Sequence, residues 1–319
     1  MLKMAIIGLG WWGQTHLRAT HEKSETVRIT TVVDLNAELA DNTAKEFGLQ
    51  TADTFEAVLA NPDIDAVILV TPHSLHTDQI IAGAAAGKHI FTEKPFALNK
   101  ADAERSITAA EAAGIMIGLG HNQRYGAPQT MIKQMIDAGE LGEIMHMEGN
   151  TSHDTLSDVQ SWRMDIKEAP GGGLWHMGSH HLDLFQHYIG AITEVYAQAV
   201  DRIIPRDTAS ALLTFECGAT AYIGNVMVTR DNRMGNVFGS KGWVKMTSPG
   251  SLEIAMRDGS AKTMAVDPVD PVRANVEGFA AAIAGETVYR FTNAQMIHDI
   301  AALDAIKRSL ISGKREAVL

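Results

Sequence analysis

Cysteine is almost missing from this chain: Cys217 is the single one in 319 residues. One thiol makes no intramolecular disulfide and no multi-cysteine zinc or iron–sulfur site, and a lone cysteine is more often packing than nucleophile. Basic charge is also scarce. Twenty-seven Lys and Arg against 38 Asp and Glu leave a formal charge of -11. A phosphate-binding basic footprint is therefore lacking, and nucleic acid is not an expected partner. No apolar run approaches the length of a membrane span. The opening MLKMAIIGLGWWG has one lysine and an apolar stretch too short for a signal-peptide core. Repeats, heptads and low-complexity segments do not occur. The expectation from these absences is a cytoplasmic protein with no membrane partner. What remains is an ordinary globular composition, 45% hydrophobic and 20% charged, at a length that suits two domains.

The first third alternates strand and helix signals. Met4–Ile7, Ile29–Val33, Ala66–Val70, His89–Thr92 and Ile115–Leu119 are short apolar runs, and helical segments follow from His16, Ala37, Gln79 and Ala101. Continuous apolar strands in repeated βα units predict a doubly wound parallel sheet of the Rossmann kind. Near Asn122 the pattern changes. After one helix at Gln129–Asp137, strand signals dominate at Ile144–Thr151, Thr193–Val200, Ala209–Phe215, Ala219–Val228 and Trp243–Met246. Strands without intervening helices predict an antiparallel sheet. A helix over Leu174–Tyr188 interrupts them, and helices at Ala274–Ala284 and Ala294–Leu310 close the chain. The expected architecture is α/β: a cofactor-binding domain over 1–121 and an α+β domain with a mostly antiparallel sheet over 122–319.

GLGWWG fits G-x-G-x-x-G at Gly8, Gly10 and Gly13, with Leu9, Trp11 and Trp12 between. The pattern gains force from its setting, because an apolar strand precedes it and a helix follows. Gly8 allows a tight turn, Gly10 a close approach to a pyrophosphate, and Gly13 close helix–sheet packing. Asp34 ends the second strand, where a carboxylate bonds the ribose hydroxyls and repels a 2′-phosphate. Leu35 and Asn36 supply no arginine to receive such a phosphate. NAD is therefore favoured over NADP. A helix N-cap remains an alternative role for Asp34.

Two further stretches carry chemistry. Glu93-Lys94-Pro95 follows the fifth strand, whose carboxyl end faces the ligand crevice, and Pro95 biases Lys94 toward an extended backbone. In GGGLWHMGSHHLD, Gly171 to Asp183, a helix would put His176, His180 and Asp183 at i, i+4 and i+7 on one face, with His187 a turn further. His-x-x-x-His also suits a metal, but Lys94 would repel a cation. No metal is expected.

AIIGLGWWG, TPHSLH, AGAAAGKHIFTEKP, NQRYGAP, DAGELGEI and GGGLWHMGSHHLD occur in one order. Together they resemble the Gfo/Idh/MocA family of oxidoreductases over nearly the whole chain. The resemblance implies an open C-terminal sheet, a tightly bound nicotinamide cofactor and a homodimer or homotetramer. It implies that Lys94 contacts the substrate hydroxyl and the nicotinamide ribose, and that His180 is the general acid/base. Near neutral pH an imidazole can accept the proton released as hydride leaves carbon, and an ammonium stabilises the developing alkoxide. Many members carry aspartate where this chain has His176, which supplies no fixed anion. His176 is therefore read as both a catalytic partner and a substrate contact, favouring a substrate with a carboxylate or a ring diol over a generic sugar. Thr71, Pro72 and His76 resemble the loop beside the nicotinamide ribose. Asn122 is expected at the cofactor, Tyr125 at the substrate, and Trp162 with Arg163 at the cofactor from the second domain.

The expected function is NAD-dependent oxidation of a secondary alcohol of a cyclic polyol, sugar or ring diol. Competing expectations are a dihydrodiol-type dehydrogenase forming an aromatic diol, a cofactor-retaining exchange of hydride between two substrates, and a non-catalytic NAD-sensing regulator.

Overall fold

The computed structural model describes residues 1–156 and 162–319. Its chain forms two compact units, Met1–Asn122 with Asp270–Met296, and Gln123–Val269 with Ile297–Leu319.

The first unit is built from β1 (Leu2–Ile7), α1 (Trp11–Thr20), β2 (Val27–Val33), α2 (Ala37–Phe47), β3 (Gln50–Thr51), α3 (Phe55–Ala60), β4 (Ala66–Leu69), α4 (His73–Ala85), β5 (His89–Thr92), α5 (Lys100–Ala113) and β6 (Ile117–Leu119). The six strands lie in the order β3-β2-β1-β4-β5-β6, and every pairing is parallel. β1 and β4 are adjacent while the chain winds outward from them in opposite directions. Their carboxyl ends therefore flank the switch point where ligands bind such sheets. Residues Met4 to Leu69 supply the centre: Ala5, Ile6, Val67, Ile68 and Leu69 have no exposed surface, as strands covered on both faces require. Side chains cap α2, α3 and α5: Asn36, Thr54 and Asn99 each accept a first-turn N–H.

β6 is an edge strand, and the returning segment covers it. A single boundary near residue 121 leaves that return out. In α8 (Pro271–Ile283), Asn275 donates through Nδ2 to the Leu119 carbonyl at 2.8 Å. The Leu119 N–H donates to the Tyr289 hydroxyl at 3.0 Å, and that hydroxyl donates to Asn275 Oδ1 at 2.8 Å. A backbone edge that would otherwise be buried without partners is closed by two side chains. Phe279 packs where Gly118 has no side chain; an added Cβ would lie 2.7 Å from its ring.

Among its described residues the second unit has nine strands: β7 (Ile144–Asp154), β8 (Ile192–Val200), β9 (Thr208–Phe215), β10 (Thr220–Val226), β11 (Val228–Gly239), β12 (Gly242–Ser248), β13 (Ser251–Met256), β14 (Ala261–Ala265) and β15 (Glu316–Ala317). Their order is β14-β13-β12-β11-β7-β10-β9-β8-β15. All pairings are antiparallel except β7 with β10. In β9, Ala209, Ala211, Leu213 and Phe215 are buried and the residues between them are not, the alternation of a sheet with one covered face. Its helices among the described residues include α6 (Ala127–Asp137), α7 (Ser179–Ile189) and most of α9 (Asn293–Ser312). β13 and β14 extend the meander beyond the last strand expected from the sequence. Their hairpin turns at Asp258-Gly259, where Gly259 has φ +91°, a conformation that favours glycine.

The Asn275–Leu119–Tyr289 closure predicts the effect of one atom. Tyr289→Phe keeps the ring and leaves the Leu119 N–H and Asn275 Oδ1 short of a partner. Chemical denaturation should show a loss of about 1–3 kcal/mol, whereas an unchanged midpoint would mean that water replaces the hydroxyl.

Candidate active site

The glycine turn of the first unit has three distinct environments. Gly8 has φ +97°, and a Cβ there would lie 2.6 Å from the Val70 carbonyl oxygen. A Cβ on Gly13 would lie 2.1 Å from the Gly8 carbonyl oxygen, whereas nothing lies within 4 Å of one on Gly10. Two glycines thus admit close backbone packing, and the third leaves open surface before α1. Unlike α2, α3 and α5, α1 has no side-chain cap. Its first N–H groups and positive dipole end face that open surface, a setting that fits the pyrophosphate of a dinucleotide. Trp11 is 70% exposed and its ring centroid is 5.1 Å from that of Trp12. Leu9 is buried, and its N–H donates to Asp34 Oδ2 at 2.7 Å. Asp34 Oδ1 accepts the Asn36 N–H at 2.9 Å. The cap of α2 is Asn36 rather than Asp34.

Thr71 and Pro72 follow β4. Thr71 donates through Oγ1 to Gln79 Oε1 at 2.6 Å, and Pro72 stands at the N-cap of α4. His76 is fully buried. Its Nδ1 lies 3.0 Å from the Pro95 carbonyl oxygen and its Nε2 3.0 Å from that of Thr71. It therefore bridges the loops after β4 and β5.

Glu93 sits at the carboxyl end of β5 with only 7% exposure. His16 Nε2, from α1, lies 2.8 Å from its Oε1, and the Lys94 N–H donates to its Oε2 at 3.3 Å. Burial pushes this carboxyl up, but hydrogen bonding and charge from His16, with the Lys94 ammonium, bring it below its ordinary value. The Trp12 indole faces the same carboxylate outside hydrogen-bonding geometry. Gly120 makes room for it, since a Cβ there would meet Glu93 Oε1 at 2.5 Å. Lys94 is half-buried, and the Lys94–Pro95 peptide is cis.

In the second unit, Arg124 and Asp183 form a fully buried ion pair. Arg124 Nε donates to both carboxylate oxygens at 3.0 Å, and Nη2 donates to Oδ1 at 2.6 Å. Asp183 is the last residue of GGGLWHMGSHHLD, so this pair anchors α7. A second buried carboxyl, Asp299 of α9, accepts from the Gln186 amide. Burial and the Asp183 charge push Asp299 well above its ordinary value, against the pull of Arg124. The cluster thus buries two carboxyl groups beside one guanidinium, and their mutual repulsion favours a proton on Asp299. The only sign of Asp299 in the residues themselves is its place directly before the apolar run IAAL in HDIAALDAI, a stretch that also carries His298 and Asp304.

The expected helix over Leu174–Tyr188 is present but composite. Leu174–Gly178 is a π-turn, and α7 follows it. The wider turn displaces His176 from the even α-helical face assumed from spacing. His176 is half-buried on the π-turn, and His180 is 4% exposed in the first turn of α7. The glycine run packs on protein: a Cβ on Gly172 would meet the Arg206 carbonyl oxygen at 2.7 Å, and one on Gly173 would coincide with the Asn225 side chain. His181, which helical spacing does not single out, is 3% exposed; a Cβ on Gly149 of β7 would be 2.6 Å from its ring. Burial pushes His181 down to about 4, with the Asn150 backbone opposing. It stays neutral near pH 7, unlike an imidazole poised for proton exchange.

Tyr125 is buried at the end of the 3-10 turn Asn122–Tyr125, while Asn122 is half-buried and closes the first unit's leading segment. Trp162 is half-buried at the start of another such turn. The Arg163 side chain lies outside the described residues.

A parallel sheet in the order 3-2-1-4-5-6, with an open glycine at an uncapped helix, defines a dinucleotide-binding unit. Comparison with known proteins agrees. Residues 2–121 match the family model described as an oxidoreductase family with an NAD-binding Rossmann fold, and residues 130–245 match the GFO/IDH/MocA C-terminal domain. An inositol 2-dehydrogenase of Rhizobium meliloti is 31% identical, over 81% of this chain and 80% of its own. A 4-carboxy-2-hydroxymuconate-6-semialdehyde dehydrogenase of Sphingobium is 30% identical, over 74% and 75%. The solved structure of an NAD binding oxidoreductase from Klebsiella pneumoniae superposes with a TM-score of 0.90 at 23% identity, covering 100% of this chain and 99% of that one, a likeness of fold. The chain belongs to the Gfo/Idh/MocA family of oxidoreductases. No helix among the described residues is long and apolar enough to cross a membrane.

Two outcomes are expected in the second unit. Asp183→Asn removes the anion beside Arg124 and with it the repulsion that raises Asp299. Asp299 should then ionise in its place. Thermal melting should show a loss of about 1–2 kcal/mol for Asp183→Asn and about 3–5 kcal/mol for Asp183→Asn with Asp299→Asn. Additive losses would show that Asp299 does not take over. Separately, His181 has a folded value near 4 against 6.5 unfolded. Its contribution is complete above pH 6.5 and is lost as pH falls toward 4, about 3 kcal/mol in all. That acid slope should be missing from denaturation curves of His181→Leu.

Proposed function

We propose that this protein is an NAD-dependent dehydrogenase that oxidises a secondary alcohol of a ring polyol, sugar or ring diol. The observation that carries the reading is the first unit's turn: Gly10 open before an uncapped α1, and the Asp34 carboxylate held at the end of β2 by Leu9 and Asn36. Asp34 with Leu35 and Asn36 favours ribose hydroxyls over a 2′-phosphate. Gly8, Leu9, Gly10, Trp11, Trp12 and Gly13 would hold the pyrophosphate. Thr71, Pro72 and Asn122 would border the nicotinamide half, with His76 setting the loops, and Trp162 and Arg163 are assigned to the cofactor as well. The bound nicotinamide supplies the hydride acceptor.

The protein's own part is proton and charge. Lys94 polarises the substrate hydroxyl and stabilises the alkoxide as it forms. The imidazole of His180 takes the hydroxyl proton, help worth about 10²–10⁴-fold. Tyr125 and His176 contact the substrate, and His176 shares in proton transfer. The inositol 2-dehydrogenase relative supports a ring polyol. The Sphingobium relative, whose name carries a carboxyl group, supports a second reading. Where His176 replaces the usual anion, a substrate bearing a carboxylate meets no fixed like charge.

Fluorescence titration with NAD and NADP tests the cofactor half, since Trp11 and Trp12 stand in the turn. NAD should bind more tightly, and Asp34→Ala should weaken NAD about tenfold while narrowing the gap to NADP; a preference for NADP in the unaltered protein would overturn the reading of Asp34. Hydride transfer should then be followed with cyclic polyols, ring acids and dihydrodiols. Lys94→Ala and His180→Ala should each lower kcat/KM about 10²–10⁴-fold with NAD binding retained. NAD binding with no turnover on any of these substrates would favour a sensing role.

A further inference from the structure

Among the histidines of the first unit, His16 is not explained by cofactor or substrate contact. It sits in α1, ten residues of helix that begin at the glycine turn, and is 1% exposed. Phe91 meets its ring edge-on at 5.7 Å, and Trp12 at 6.1 Å. In this apolar slot it makes one polar contact, Nε2 to Glu93 Oε1 at 2.8 Å. Among the described residues its Nδ1 is buried with no hydrogen-bond partner. A carboxylate only accepts, so Nε2 carries the proton and points it at Glu93. Packing fixes the ring, and the ring fixes the carboxylate.

Glu93 is in turn bound to its neighbour in the chain. Its other oxygen accepts the Lys94 N–H, and its charge acts on the Lys94 ammonium. The carboxylate packs directly on Gly120, where a Cβ would lie 2.5 Å from Oε1, so the absence of a side chain there admits the His16–Glu93 contact.

We propose that His16 is a positioning residue that holds the Glu93 carboxylate in place and, through it, sets the orientation and charge of Lys94, so that the helix opening at the cofactor turn is mechanically joined to the lysine that acts on substrate. The inference rests on the role given to Lys94 under the proposed function. The linkage has a clear order. Without the His16 N–H, a buried carboxylate loses its principal donor and picks up a proton. The ammonium of Lys94 then loses the neighbouring anion, and the Lys94 N–H loses a charged acceptor. Glutamine at position 16 can present an amide N–H from nearly the same place as Nε2; leucine fills the slot and presents nothing.

The test reads Lys94 directly, without substrate or cofactor. Lysines of the full chain are reductively methylated with ¹³C, Lys94 is assigned by its absence in Lys94→Arg, and its resonance is followed against pH. In His16→Leu and in Glu93→Gln the titration of Lys94 should move down by about one pH unit. The double variant should move no further than either single one, and His16→Gln should recover most of the shift. In turnover, His16→Leu should lower kcat about tenfold or more and move the alkaline limb of the pH profile down, with NAD affinity changed far less. A Lys94 titration that is unmoved in His16→Leu overturns the inference, as does an additive double variant. If Lys94 titrates as expected but Lys94→Ala leaves hydride transfer intact, the positioning chain stands and the catalytic role given to Lys94 fails. His16→Gln carries the test if His16→Leu does not fold: its Lys94 titration must stay within a few tenths of a unit of the unaltered protein and separate from that of Glu93→Gln.

Discussion

A charge taken out of water has to be neutralised where it lies, and both units of this chain are organised around that constraint. In the first, the Glu93 carboxylate is buried at the end of β5 and answered by His16 and the backbone of Lys94. In the second, the Arg124 guanidinium and Asp183 carboxylate have no exposed side-chain surface at all. Neither pair is a strong argument for stability, since apolar packing could replace either at little cost. Each instead fixes an orientation. Glu93 immediately precedes Lys94, and Asp183 stands three residues after His180, the two positions to which the proposed function assigns the chemistry. Buried ion pairs hold the two segments that the proposed function makes reactive.

The same constraint acts on His181, which adjoins His180 in α7. His181 is buried against Gly149 and Phe185, where burial keeps it neutral. An imidazole with so low a value is a poor proton acceptor near neutral pH. His180, next to it, occupies the first turn of α7, directly after a π-turn. Such turns widen the backbone locally and alter which residues share a face. The glycines before it are explained by packing, since Arg206 and Asn225 occupy the space where Gly172 and Gly173 have no side chain. The stretch combines a glycine run that seats on the sheet, a widened turn, and a helix anchored by Asp183.

Much of this is legible in the residues. The βα alternation and the turn at Gly8, Gly10 and Gly13 are local patterns, and local patterns survive folding. What the residues do not announce is long-range. Asp270–Met296 returns to the first unit because Leu119 needs Asn275 and Tyr289, residues more than 150 positions away that nothing near Leu119 announces. Asp299 joins Asp183 across 116 positions, and no spacing rule connects them. The π-turn escapes because i, i+4 spacing assumes the regular helix it is used to detect. His16 escapes for another reason: one histidine on a helix is ordinarily packing, and only the 2.8 Å approach to Glu93 gives it a different meaning.

That approach also ties together what the sequence presents as separate motifs. G-x-G-x-x-G and Glu-Lys-Pro lie some eighty residues apart and are usually given separate tasks, one holding phosphate and the other acting on substrate. Here α1 carries both the open N-terminus that fits an anion and, one and a half turns on, the ring that grips Glu93. A helix of ten residues, with its regular rise per residue, holds that N-terminus and the His16 ring at one separation. The buried His16–Glu93 contact, at 2.8 Å, fixes the carboxylate against the same helix. The glycine turn and the Glu-Lys-Pro segment are therefore joined through one side chain, and neither is placed independently of the other.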